Sequence, residues 1–108
     1  MKLLVVVVQN TDAGKLREEL SVNQFASTKL ASTGGFLREG NTTFLIGVEN
    51  DKVWHVKELI RKTCQERTKL MPTTPYLEGA ESLFAEPTEV SVGGAVVFVL
   101  PLDEIVRL

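Results

Sequence analysis

The residues whose types and spacing could do chemistry lie between Thr28 and Thr43, in the run TKLASTGGFLREGNTT. A segment of small residues leads into Gly34-Gly35. An apolar tip, Phe36-Leu37, follows, and the chain returns through Gly40-Asn41. Three glycines within seven residues allow positive φ and a close backbone approach to a ligand. An aromatic at a hairpin tip offers a stacking surface where polar residues are usual. Threonine hydroxyls and backbone N–H groups supply neutral donors suited to a phosphate or a base edge. A tight hairpin needs one glycine, so this cluster reads as a binding device.

Each candidate has two readings. Phe36 stacks on a purine, which is worth about 1–3 kcal/mol per base, or it packs beneath a loop or against a neighbouring subunit; Leu37 lines the same wall. Asn41 matches the donor and acceptor pair of an adenine edge, or it takes a left-handed conformation that closes the turn. Thr28 and Gly47 lie near one another if the hairpin pairs symmetrically about its tip. Thr28 then offers a hydroxyl, and Gly47 leaves room for a flat base or marks a bulge. Lys29 and Arg38 attract phosphates, or serve solubility and block edge pairing. No Gly-Lys-Ser/Thr follows the glycines, so they are not a P-loop. Trp54 and His55 fall off the core stripe of their helix, with Trp54 partly buried and His55 solvated. Glu78, Glu81 and Glu86 form an acidic, solvated run. No Ser/His/Asp, Cys/His or paired-carboxylate set is apparent, which argues against an enzyme.

The elements that position these residues are legible from periodicity. At 108 residues, 44% apolar and 24% charged, the chain has the makings of one globular domain spanning 1–108. A net charge of −2 excludes the basic footprint of a protein that coats polymeric nucleic acid. One cysteine, Cys64, and one histidine, His55, make an internal disulfide impossible and a metal site improbable. The apolar start is too short for a signal peptide and no run is long enough for a membrane span, so a cytoplasmic, soluble protein is expected. Leu3–Val8 reads as a buried strand. Thr11 or Asp12 caps a helix with the stripe Ala13, Leu16 and Leu20, ended by Asn23. Phe25–Thr33 and Thr42–Glu49 are strands. Asn50 or Asp51 caps a second helix with the stripe Val53, Val56, Ile60 and Cys64. From about 65 to 90 runs a long loop, with no period from Gln65 to Pro87. Glu89–Val92 alternates like a strand, Gly93-Gly94 turns the chain, and Ala95–Leu100 is a final apolar strand.

The expected fold is α+β: a ferredoxin-like βαββαβ order, with a four-stranded antiparallel sheet and both helices on one face. Strands Leu3–Val8 and Ala95–Leu100 are apolar on both faces. Something must therefore cover the second face, and self-association is the economical answer.

Several segments together carry a family resemblance. They are Val8-Gln9, Phe25, Thr28-Lys29-Leu30, Thr33-Gly34-Gly35-Phe36-Leu37, Gly40-Asn41-Thr42-Thr43-Phe44, Gly47-Val48, Val92-Gly93-Gly94-Ala95 and Val97-Phe98-Val99-Leu100-Pro101. The chain resembles the PII-like cyclic di-AMP receptors over nearly its whole length. The resemblance implies a non-enzymatic signalling protein with no cofactor. It implies a homotrimer that binds cyclic di-AMP between subunits, beneath the glycine-rich hairpin 33–42 and the long loop, whose ordering a downstream protein reads. It assigns ligand binding to Gln24, Thr28, Gly35, Phe36, Leu37, Asn41, Gly47 and Phe98.

The chain departs from that pattern in places. Ala26 stands where many members carry arginine, which removes five donors and a positive charge. Gln24 replaces an asparagine, and the tail Ile105-Val106-Arg107-Leu108 is less aromatic. These departures leave open a PII-like sensor of another adenine nucleotide or small ligand.

Overall fold

The computed structural model describes residues 1–32, 40–71 and 88–108. Six strands and two helices appear in the order β1 (Lys2–Gln9), α1 (Asn10–Val22), β2 (Ser27–Ser32), β3 (Asn41–Val48), α2 (Val53–Thr63), β4 (Arg67–Met71), β5 (Thr88–Val92) and β6 (Ala95–Pro101). The main sheet has the order β2-β3-β1-β6, and all its neighbours run antiparallel. This is the α+β architecture expected from the βαββαβ order. The first and last strands of that order lie side by side, with β1 central, as its β-branched run requires.

Strand alternation assigns the faces. Leu4, Val6, Val8, Phe44, Ile46 and Val48 are buried in one apolar cluster with Ala13, Leu16 and Leu20 of α1 and Val56 and Ile60 of α2. Both helices therefore pack on the same face of the sheet, and the stripes expected on them are the ones buried. Cys64 closes the α2 stripe, while Val53 is only partly buried. Trp54, at 69% exposure, points into solvent from α2 rather than being partly buried.

The helix starts differ from expectation. α1 begins at Asn10 after Gln9, and α2 follows a 3-10 turn at Asn50–Lys52; neither has a side-chain cap hydrogen bond. Asp12 lies in the first turn of α1, where its charge suits the helix dipole. At the other end of α1, Asn23 does terminate the helix, its Nδ2 donating to the Glu19 carbonyl at 2.8 Å.

A second sheet was not legible. β4 and β5 pair as an antiparallel ribbon, Arg67 opposite Val92 and Met71 opposite Thr88. The strand β4 lies inside the stretch where no period was found. Charged Arg67 and Lys69 interrupt its pattern, and its partner is distant in sequence.

Candidate functional site

The register puts four of the candidates on one surface. Phe98 opposes Val5 in the β1–β6 ladder. Gly47 opposes Leu3 and Asn41 opposes Gln9 in the β1–β3 ladder, and Thr28 opposes Leu45 in the β2–β3 ladder. All four therefore share the sheet face turned away from the helices. That face is apolar and partly open: Leu3, Val5, Leu45 and Val96 are half-buried, and Leu30, Phe98 and Leu100 are each more than 40% exposed. Gly35, Phe36 and Leu37 lie outside the described residues, as do Arg38 and the acidic run Glu78, Glu81 and Glu86.

The β2–β3 register is centred between positions 36 and 37, so Thr28 and Gly47 do lie near one another. Thr28 faces Leu45, so Gly47 sits diagonally from it rather than opposite. The ladder runs unbroken through Gly47, which excludes a bulge. A Cβ on Gly47 would come within 2.6 Å of Ile105 Cδ1 and 3.5 Å of Leu102 Cδ2. The missing side chain thus makes room for the chain's tail, which crosses this end of the open face. Asn41 does not close the turn in a left-handed conformation either. It is the first residue of β3 and is buried, at 3% exposure. Asn41 and Gly47 are six residues apart on one strand, which corresponds to about 20 Å.

Gln24 stands at the α1–β2 corner with φ of 65°, the one left-handed value among the described non-glycine residues. Its N–H donates to the Ser21 carbonyl at 3.0 Å, and the Phe25 N–H donates to the Leu20 carbonyl at 2.8 Å. This corner turns the helix into β2. Gln24 also lines an open recess of about 350 Å³ with Arg17, Ser21, Phe25, Ala26 and Ser27. Ala26 immediately precedes the ladder and is exposed. The exposed His55 has its ring edge-on to Phe25, with centroids 5.4 Å apart at 85°.

The β1–α1 junction holds a set of polar contacts that sequence reasoning missed. Gln9 Oε1 accepts the Gly93 N–H at 2.6 Å in a buried position. Asn10 accepts from Thr42 Oγ1 through its Oδ1 at 2.6 Å, and its N–H donates to the Gly40 carbonyl at 2.9 Å. Asp12 takes a forked pair from Arg67, at 2.8 Å and 3.4 Å. That carboxylate raises the Arg67 pKa above its ordinary value, chiefly through the hydrogen bond. Arg67 Nη1 also donates to the Gln65 carbonyl at 3.0 Å. The available signal was three polar side chains, Gln9, Asn10 and Asp12, directly after a fully apolar strand.

Nearby, burial pushes the Cys64 thiol up to about 12, with the Asp12 charge adding and Arg67 opposing. This thiol is a packing group, not a nucleophile. Among the described residues no group of three or more His, Cys, Asp or Glu could hold a metal ion. None of the described helices is long and apolar enough to cross a membrane.

Two comparisons bear on this surface. A family model described as a cyclic-di-AMP receptor matches residues 1–108. A crystal structure of a functionally unknown protein from Pediococcus pentosaceus ATCC 25745 is similar at 42% sequence identity, over 99% of this chain and 96% of that one, with a TM-score of 0.79.

Proposed function

The chain belongs to the cyclic-di-AMP receptor family, and from that premise we propose that it is a non-enzymatic, cytoplasmic signalling protein whose homotrimer binds cyclic di-AMP in clefts between subunits. The observation that carries the inter-subunit site is the placement of Thr28, Asn41, Gly47 and Phe98 on the face that the helices leave bare. Asn41 and Gly47 lie about 20 Å apart along β3, too far for one compact ligand to touch both within a protomer. Packing open faces together brings the hairpin end of one copy toward the Gly47 end of another. Phe36 and Leu37 then stack on a purine, Gly35 lets the backbone approach, and Asn41 reads the base edge. Thr28, Gln24 and Phe98 complete the other wall. Ligand binding changes the conformation of the segment that β4 and β5 flank, for a downstream protein to read. The chain acts as one PII-like domain over 1–108.

Isothermal titration calorimetry with cyclic di-AMP, AMP and ATP tests this reading. Saturable binding of cyclic di-AMP near one ligand per protomer supports it, and absence of heat with cyclic di-AMP overturns it. A second reading, a PII-like sensor of another adenine nucleotide, rests on Ala26. The position beside the Gly47 end carries no cation, and a charged hydrogen bond is worth about 1.5–3 kcal/mol. Ala26→Arg should tighten cyclic di-AMP binding at low salt, and the gain should shrink as salt screens the charge. Weaker binding in that variant favours a reshaped pocket and the second reading.

A further inference from the structure

The β1–α1 junction touches two parts of the molecule that are far apart in sequence. On one side is the root of the glycine-rich hairpin. The Asn10 N–H holds the Gly40 carbonyl, and Asn10 Oδ1 accepts from Thr42 Oγ1. A Cβ on Gly40 would lie 2.6 Å from Asn10 Nδ2, so the contact is close. On the other side is the root of the β4–β5 ribbon. Gln9 Oε1 holds the Gly93 N–H, and Asp12 holds Arg67. The Gly94 N–H donates to the Cys64 carbonyl, which ties the same corner to the end of α2. Gln9 is also the direct cross-strand partner of Asn41, on the same face and equally buried. One short polar segment thus grips both roots.

We propose that Gln9, Asn10 and Asp12 are positioning residues that bind the hairpin root and the ribbon root into one mechanical unit. An event at Asn41 is then read at β4–β5. The physical reason is that each contact has a buried side: Gln9, Asp12 and Thr42 are buried, while Asn10 and Arg67 reach in from exposed positions. Breaking one leaves a buried amide or carboxylate without its partner, and the cheapest response is for the neighbouring root to shift with it. Among the described residues the ribbon is also tied by the Ser91 hydroxyl, which donates to Glu66 at 2.7 Å in an exposed position. The tie from Gln9 to Gly93 is buried. The consequence for signalling rests on the proposed cyclic di-AMP site, but the linkage itself does not.

The test is amide hydrogen exchange on the whole protein. In the ligand-free state, Thr42→Val removes the hydroxyl that Asn10 accepts from, at nearly constant volume and away from the ribbon. Exchange in Arg67–Met71 and Thr88–Val92 should speed at least threefold, as it should in Arg67→Gln. Acceleration confined to residues 40–44 in Thr42→Val overturns the linkage. A circular-dichroism melt checks that each variant is folded. Should Thr42→Val not fold, Asn10→Ser, which shortens the same contact, is measured in its place and judged by the same threshold. In a second arm, saturating cyclic di-AMP should slow ribbon exchange at least threefold in wild type and less in Gln9→Met. Equal protection in both overturns the role of Gln9. If calorimetry detects no cyclic di-AMP binding, the ligand reading fails, while the ligand-free arm still judges the junction.

Discussion

Two residues separate ligand chemistry from packing chemistry. Phe36 is the aromatic of the glycine-rich hairpin, and its ring should supply the largest share of hairpin binding energy. Phe36→Ala should weaken cyclic di-AMP binding at least tenfold by calorimetry, from about 1–3 kcal/mol of lost stacking, with the assembly retained. Unchanged affinity would make it a packing residue. Cys64 is the opposite case, at 2% exposure with its thiol held near 12 against an ordinary 9.0. A raised pKa means that the folded state keeps its proton longer than the unfolded one. The stabilisation is complete below the ordinary value and fades as pH rises from 9.0 toward about 12. Native protein at pH 8 should react with iodoacetamide far more slowly than the same protein in urea, measured by mass spectrometry. Comparable rates would mean that the α2 end opens readily.

The elements differ in how plainly they can be read from sequence. The β1 run of apolar residues and the stripes Ala13-Leu16-Leu20 and Val56-Ile60 are local patterns, and burial follows them directly. The β4–β5 ribbon depends on pairing between segments far apart, and Arg67 looks like a surface charge until Asp12 is seen beside it. Gly47 is legible as a gap, but only the fold reveals Ile105 filling it. The left-handed Gln24 had no glycine to announce it. Gly93 and Gly94 illustrate how structure refines such a reading. Both take positive φ, 88° and 86°, yet their surroundings differ. A Cβ on Gly93 would meet Arg67 Nη1 and the Gln65 carbonyl at 2.6 Å, whereas one on Gly94 meets nothing within 4 Å. Gly94→Ala should cost only the backbone strain, about 1–2 kcal/mol. Gly93→Ala should cost clearly more, because backbone must move as well. Urea denaturation of the two variants checks the order, and equal losses would show that the Gly93 corner yields freely.

At the scale of the molecule, the open sheet face dominates. Leu30, Phe98 and Leu100 are exposed on it, and a patch of this kind usually marks an interface. Light scattering at micromolar concentration should give three times the protomer's 11.9 kDa; a monodisperse protomer would remove the inter-subunit site. Phe98→Glu, which buries a charge in that interface, should shift the mass downward. The other side of the molecule has its own experimental consequence. The chain's single tryptophan stands on α2, exposed and on the helix side of the sheet, away from every candidate binding residue of the bare face. Its indole already senses water in the native state, so its emission is red before any denaturant is added. Unfolding should move the spectrum little, and ligand should leave it nearly unchanged. Intrinsic fluorescence is therefore a blind channel for this protein, and binding is better followed by heat or by the melting of its helices. An emission scan with and without urea tests this, since a large red shift on unfolding would mean that Trp54 is covered in solution.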